Sequence, residues 1–151
     1  MVRYSRGFTL VELMTALAVL AVLLGLGLPA FSGLIERSRA DTDMNGLQRA
    51  LSTARLEAIN TSQNRSVVAA GGWSGNLEVR DAVGNPVRKL KGMAGGAVVA
   101  ATNDVTTIQF NNLGGLQSPT SAVDFAYTRG STSKTLTVCP TGRIVVGAGG
   151  C

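Results

Sequence analysis

The feature that most constrains this chain is a stretch without charge near its amino terminus. No charged residue occurs from Leu13 to Ile35. A helix of these 23 residues would be roughly 34 Å long, which is enough to cross the hydrocarbon core of a bilayer. Because Arg3 and Arg6 precede the stretch, the positive-inside rule predicts a cytoplasmic amino terminus and an extracytoplasmic remainder.

Three kinds of segment share this pattern: a cleaved signal peptide, a permanent anchor, and the membrane-stored helix of a filament subunit. The run exceeds the roughly 7 to 15 apolar residues of an ordinary signal peptide, and Leu28-Pro29-Ala30 is a poor cleavage site. Glu12 argues against a plain anchor, since inserting a carboxylate costs on the order of 2 to 3 kcal/mol near the membrane centre. The simpler alternative is that Glu12 lies one turn inside the headgroup boundary and is tolerated there.

The residues around Gly7 carry a family resemblance. The sequence Arg6-Gly7-Phe8-Thr9-Leu10-Val11-Glu12-Leu13 resembles the class III signal of type IV pilins and type II secretion pseudopilins. The resemblance implies that a prepilin peptidase cuts between Gly7 and Phe8 and methylates the new amino terminus at Phe8. It also implies assembly roles for Glu12 and Pro29, with Glu12 pairing in the filament core with the terminal amine of a neighbouring subunit.

A second helical pattern follows the apolar run. Apolar or small residues recur every three or four positions at Met44, Leu47, Leu51, Ala54 and Ala58, which predicts an amphipathic helix whose stripe packs on the rest of the protein. We expect it to continue the first segment, giving one helix from about Phe8 to Asn60, roughly 80 Å long.

Residues that weaken helices are concentrated near the middle of this helix. Glycine costs about 1 kcal/mol and internal proline about 3 kcal/mol relative to alanine, so we expect a kink or local unwinding near Pro29, in particular when subunits stack in a filament. Glycine and proline are also common in ordinary membrane helices. The residues concerned are Gly25, Gly27, Pro29 and Gly33.

The remaining residues, 61–151, have the pattern of a β-rich domain. Short runs of β-branched and aromatic residues alternate with glycine-rich turn signals. The predicted fold class is therefore α+β, with the long helix packed on a small antiparallel sheet or a two-sheet domain. The predicted strands are 66–70, 77–80, 87–90, 97–101, 106–110, 122–127, 136–138 and 143–146.

Several short segments of this domain carry a second, softer resemblance. They are Gly72-Trp73, Leu77-Glu78-Val79, Ile108-Gln109-Phe110 with Gly114-Gly115, and Val138-Cys139-Pro140-Thr141-Gly142-Arg143-Ile144. Their order is similar to the GspH/FimT group of minor pilins and pseudopilins. The cysteine pair and the Cys-Pro-x-Gly-Arg segment resemble the FimU and FimT minor pilins more than the secretion pseudopilins. Trp73 is most simply an aromatic anchor, with a ligand-stacking role as the alternative.

Cys139 and Cys151 are the two cysteines of the chain, and both fall in the predicted extracytoplasmic part, where disulfides persist. A bridge between them is the default expectation and would contribute roughly 3 kcal/mol in the chain-entropy model. The alternatives are a metal site, for which two cysteines without histidine are too few, and a reactive thiol pair, which lacks the Cys-x-x-Cys spacing.

The charge balance permits contact with phosphate but does not demand it. The net charge is +5, part of it in the predicted leader, and solvated basic residues would give the same composition. The Gly-Arg-x-Arg motif of DNA-binding FimT proteins is matched only as Gly142-Arg143-Ile144-Val145, without its second arginine. The candidate DNA contacts are Arg129, Lys134 and Arg143.

Catalysis has little support in the sequence. The chain contains no histidine, which excludes Ser-His and Cys-His mechanisms and histidine metal sites. Its carboxylates beyond the helix are scattered, with no metal-loop or paired spacing. We therefore expect a structural protein that is not an enzyme and has no cofactor and no metal.

Together these patterns predict a minor type IV pilin of the pilus initiation or tip complex, supporting twitching motility, adhesion or DNA uptake. The alternatives are a minor pseudopilin of type II secretion and, from another class, a DNA receptor. The expected partners are major and minor pilins, prepilin peptidase, the inner membrane before assembly, and DNA only in the receptor alternative. The expected localisation is the bacterial inner membrane, single-pass with a periplasmic domain, and then the extracellular pilus. The predicted division is 1–7 leader, 8–35 membrane and filament-core helix, 36–60 amphipathic helix and 61–151 globular domain.

Overall fold

The computed structural model describes residues 8–147 and 150–151, without the side chains of residues 26–30. The predicted leader, including Gly7, lies outside the described residues, and so does the side chain of Pro29. The first element is the helix α1, Leu10–Thr61. It is helical through residues 25–33, so no unwinding occurs there in the single chain, and unwinding on assembly stays a prediction.

The chain divides after Ile35 into two compact units, Met1–Ile35 and Glu36–Cys151. Large apolar side chains of the described part of the first unit are exposed. Among the described residues, no helix is both long enough and apolar enough to cross a membrane.

The second unit begins with the amphipathic part of α1, whose apolar stripe is buried. Met44, Leu47, Leu51, Ala54 and Ala58 are each 0–1% exposed, so the predicted stripe is confirmed as core. Because these residues share one face of the helix, they bury it against the β-rich part of the unit and leave the charged face in solvent.

Nine strands are found within the described residues, and all their pairings are antiparallel. One sheet has the order β3-β2-β1-β5-β6 and the other β4-β7-β8-β9. The strands are β1 Arg65–Val68, β2 Leu77–Arg80, β3 Pro86–Leu90, β4 Val98–Ala101, β5 Thr107–Phe110, β6 Leu116–Ser118, β7 Val123–Arg129, β8 Thr132–Val138 and β9 Ile144–Val146.

Alternation along the strands sends one set of side chains into a core shared by the helix and both sheets. In β7, the residues Val123, Phe125, Tyr127 and Arg129 are buried while those between them are exposed, as expected for a sheet with one covered face. Polar contacts also fix the helix on both sheets, since Asp43 bonds to Tyr127 of β7 and Glu57 pairs with Arg88 of β3. The fold is therefore α+β with two sheets.

Candidate functional site

The amino-terminal end of α1 is capped by Thr9. The Glu12 amide donates to Thr9 Oγ1 at 3.3 Å, and the Leu13 amide donates to the Thr9 carbonyl at 3.2 Å. A threonine oxygen in this place satisfies an amide that has no partner within the helix, and an acidic residue in the first turn interacts favourably with the helix dipole. The cap therefore fixes Glu12 one turn from Phe8 and leaves both side chains exposed.

Exposed apolar side chains surround the described helix of the first unit. Phe8 is 78% exposed and Leu24 is 54% exposed. Phe8 and Glu12 also line a shallow apolar groove along the helix. Exposed apolar surface of this kind is typical of surfaces that interact with protein or lipid. The large exposed residues are Phe8, Leu10, Val11, Leu13, Met14, Leu17, Val19, Leu20, Val22, Leu23, Leu24, Phe31, Leu34 and Ile35.

The structure corrects the prediction that Arg129 contacts phosphate. The Arg129 side chain is only 6% exposed, and its Nη1 lies 3.2 Å from Asp43 Oδ2. Its Nη2 donates to the carbonyls of Ala94 and Gly95 at 2.7 and 2.5 Å. A buried guanidinium with these partners is part of the fold and is not available to an external phosphate.

The other two DNA candidates do not form a cluster. Lys134 donates to Asp41 Oδ1 at 2.6 Å. Arg143 is exposed and donates to the Gly150 carbonyl at 2.9 Å. The register of β8 and β9 places these two cations near opposite ends of β8, about 16 Å apart along the strand at 3.3 Å per residue. One exposed cation therefore remains of the predicted set.

Asp43 is the centre of a buried polar network between the helix and β7. Its Oδ2 accepts the Tyr127 hydroxyl at 2.8 Å as well as the Arg129 guanidinium. Burial, followed by the Asp43 carboxylate, raises the pKa of Tyr127 to about 12, because both disfavour the phenolate. The network anchors the helix on the second sheet.

The two glycine motifs singled out in the sequence meet at Arg55 of the helix. Arg55 Nε donates to the Gly114 carbonyl at 2.8 Å. A Cβ atom on Gly142 would lie only 1.7 Å from that same carbonyl oxygen, and both glycines have positive φ angles of 81° and 78°. Glycine is required at both positions, because a side chain would clash or strain the backbone.

The turn from Cys139 to Gly142 lies against the backbone of Gly114. The Leu116 amide donates to the Pro140 carbonyl at 2.9 Å, so the turn between β8 and β9 is bonded to β6. Cys139 forms a disulfide with Cys151, with the two Cα atoms 5.5 Å apart. The Gly114-Gly115 and Cys139-Pro140-Thr141-Gly142 segments thus form one structural junction that joins the helix and both sheets.

Trp73 is an anchor of the core. Its side chain is 3% exposed, its Nε1 donates to the Val105 carbonyl at 2.5 Å, and its ring meets Phe125 edge-on at 4.7 Å. The indole N–H and the ring therefore both make their contacts inside the domain. These contacts support the predicted role of Trp73 as an aromatic anchor.

Family comparisons decide the affiliation of the chain. The prokaryotic N-terminal methylation motif matches residues 2–28. The family described as "Type II transport protein GspH" matches residues 43–142, about two thirds of the chain. The chain belongs to the GspH family. No curated protein matches it significantly.

Two solved structures are similar to this GspH-family chain. Both are crystal structures of the type IV minor pilin FimU of Pseudomonas aeruginosa strain PAO1. The form in space group P21 has a TM-score of 0.66 and 23% identity, over 75% of this chain and 91% of that one. The form in space group P65 has a TM-score of 0.60 and 23% identity, over 73% and 90%. The shared fold confirms the predicted pilin-like α+β class.

Membership of the GspH family also settles the broad class of the protein. It is a member of the minor pilin and pseudopilin group, whose proteins are structural subunits and not enzymes. Sequence reasoning missed Arg55 and Asp43 as contact residues. In the sequence, both are charged residues next to the apolar stripe of α1. Solvated helix residues occupy the same kind of position, so this signal did not distinguish them.

Proposed function

We propose that this GspH-family chain is a minor pilin of a type IV pilus. In this proposal, prepilin peptidase cuts between Gly7 and Phe8 and methylates Phe8. The helix then holds the subunit in the inner membrane, with residues 36–151 in the periplasm. Finally the subunit joins other major and minor pilins in the initiation or tip complex of the pilus, in support of twitching motility, adhesion or DNA uptake.

One observation carries the proposal: most of the exposed apolar surface of the helix lies within the matched methylation motif, residues 2–28. Such a surface is stable in lipid or against other apolar helices, but it is costly in water. A subunit that is first stored in a bilayer and then packed in a filament has a cover for this surface at both stages.

Glu12 has the properties that the proposed assembly role needs. Its carboxylate makes no hydrogen bond or ion pair with any other described residue. Cleavage before Phe8 would create a cationic amine four residues away in sequence. In a dry filament core, an unpaired carboxylate carries a large desolvation penalty, so pairing with the amine of a neighbour would select one axial register.

We further propose that the stretch around Pro29 unwinds when the subunit leaves the membrane. Proline removes one helical hydrogen bond and glycine weakens the helix, so this stretch has the lowest helical stability of α1. Unwinding would let successive subunits adjust their spacing along the filament. A helix that stays regular around Pro29 in an assembled filament would contradict this part of the proposal.

The rival function is a minor pseudopilin of type II secretion, which the description of the matched family favours. Deleting the gene and scoring piliation, protein secretion and natural transformation in parallel separates the functions. The pilus proposal predicts that piliation is lost and secretion is normal. A secretion defect with normal pili would show that the rival is correct, and a transformation defect with normal pili would favour a DNA receptor.

A further inference from the structure

A groove lies between the helix and the segment that follows β3. Its volume is about 350 Å³, at the lower end of the roughly 300–1,000 Å³ of ligand clefts. Its floor is apolar and includes Leu47, Ala50 and Leu77. All the lining residues belong to the unit 36–151.

The outer wall of the groove is held in place by backbone contacts. The Gly92 amide donates to Asn76 Oδ1 and the Met93 amide donates to the Ser74 carbonyl, both at 2.9 Å. A Cβ atom on Gly92 would lie 2.7 Å from the carbonyl carbon of Gly75, so the two backbones are in close contact. The groove is therefore formed before any partner binds, which lowers the entropic cost of binding.

Gly46 lines this groove from the middle of the helix. Glycine weakens a helix interior relative to alanine, so a glycine here needs a reason. A Cβ atom at Gly46 would meet nothing within 4 Å, and its φ angle is not positive. Neither the packing of this chain nor its backbone geometry requires the glycine, and its effect is to keep the groove open.

The charges at the groove favour an anionic occupant. Arg49 and Lys91 both line it and are exposed, and neither makes an ion pair with any described residue. The one acidic residue of the lining, Asp43, is already paired with Arg129. The groove thus combines an apolar floor with two cations that have no counter-charge in this domain.

We propose that this groove, bounded by Gly46, Arg49 and Lys91, receives a segment of a neighbouring pilin subunit that carries an acidic side chain next to an apolar one. The apolar side chain would lie on Leu47 and Ala50, and the carboxylate would pair with Arg49 or Lys91. This inference rests on the proposed function as a filament subunit, because it takes the neighbour to be another pilin.

The first test fills the groove without harming the fold. In the full-length chain, Gly46→Leu places a good helix former where this domain has free space, so we expect the Tm to rise by a few degrees. Incorporation into sheared pili should nevertheless fall at least about fivefold. The matched control is Asn45→Leu, which adds the same side chain one residue away and outside the groove, and should incorporate normally. Normal incorporation of Gly46→Leu would overturn the proposal.

The second test identifies the occupant. A photo-cross-linking amino acid at Lys91 of the full-length chain, in cells that assemble pili, should give an adduct with another pilin. Mass spectrometry should map the adduct to a peptide that contains Asp or Glu. A Gly46→Leu background should abolish the adduct. Overturning results are no adduct, an adduct that persists with Gly46→Leu, or an adduct with a second copy of this chain, a non-pilin protein or a peptide without an acidic residue.

Charge reversal completes the design. Arg49→Glu together with Lys91→Glu should reduce the incorporation at least about fivefold, and exchanging the partner's acidic residue for Lys should restore it. Lys89→Glu is the control, since Lys89 pairs with Glu78 and does not line the groove. If the wild-type chain is absent from pili, the proposed function fails, whereas a wild-type chain present in pili with a tolerated Gly46→Leu refutes the groove alone.

Discussion

The two parts of α1 place the same residue types in opposite environments. In the first unit Leu17 is 56% exposed and Leu20 is 50% exposed, whereas in the second unit Leu47 is 1% exposed and Leu51 is fully buried. The first part carries one charged residue, Glu12, in an otherwise uncharged sequence, and the second is apolar along one stripe with charged residues between. The pattern of apolar residues, and not their number, therefore distinguishes a helix that packs on its own domain from one that needs an external cover.

The largest effect is expected at the one carboxylate of the exposed part. Glu12→Gln keeps the shape of the side chain and removes its charge. It should reduce incorporation into pili by roughly two orders of magnitude, because in the proposed pair the terminal amine of the neighbour would be left buried without a counter-charge. Immunoblotting of sheared pili measures it. The Tm of the domain should not change, and Glu36→Gln, at the next carboxylate along the helix, should incorporate normally. Equal incorporation of both variants would remove Glu12 from the assembly mechanism.

In the buried part of the helix, the largest loss of stability is expected when the ion pair between Asp43 and Arg129 is removed. Arg129→Ala leaves the buried Asp43 carboxylate without a counter-charge, with only the Tyr127 hydroxyl as its partner, and should lower the free energy of unfolding by about 3–5 kcal/mol. Lys134→Ala breaks the more exposed pair with Asp41, whose side chain is 59% exposed, and should cost about 0–1 kcal/mol. Urea unfolding of the two variants measures the difference. Similar losses of unfolding free energy in the two variants would show that water reaches the Asp43 carboxylate.

A pair of identical truncations tests the comparison between the two parts directly. Leu51→Ala creates a cavity in the core and should lower the free energy of unfolding by about 2–5 kcal/mol. Leu20→Ala removes the same atoms from an exposed position and should leave the thermal unfolding of the domain unchanged. Calorimetry of the full-length protein in detergent measures both. A destabilised Leu20→Ala would mean that the first part contributes to the stability of the domain.

The smallest effect is a dependence of stability on alkaline pH. The pKa of Tyr127 is about 12 in the folded chain against 10.0 ordinarily, so this residue stabilises the fold fully below pH 10. Its contribution is lost as the pH rises from 10 towards 12, because the unfolded chain ionises first. Tyr127→Phe should cost about 1–2 kcal/mol at pH 8 through the lost hydrogen bond and should lose less than wild type between pH 10 and 12. If the stabilities of wild type and Tyr127→Phe fall in parallel between pH 10 and 12, the alkaline loss is not due to the ionisation of Tyr127.

Most of the strands were predictable, and the ones that were missed have physical reasons. All eight predicted strands are present, since each is a β-branched or aromatic run between turn residues. The strand β6 has only three residues, of which two are exposed, so it has no alternation to detect. The first half of β8 contains Thr132, Ser133 and Lys134, which form a strand because they pair with β7 across the Gly130-Ser131 turn.

The candidate site was predictable where local sequence determines it. The surroundings of Glu12 depend on neighbours within one helical turn, and the Cys139–Cys151 disulfide depends on residues 12 apart in sequence. Arg129 was misjudged because its partners, Asp43 and Ala94, are 86 and 35 residues away. Composition cannot distinguish a solvated cation from one that the fold buries.

The contacts between α1 and the second sheet also determine when, during synthesis, the helix can be fully packed. Asp43 bonds to Tyr127 over 84 residues and Asp41 bonds to Lys134 over 93 residues. At roughly 5–20 residues per second during synthesis, the second sheet follows the helix by about 5–20 seconds. During that interval the stripe lacks the cover of the second sheet, so the nascent chain carries two successive apolar surfaces, one of which is completed only by residues that are still being made.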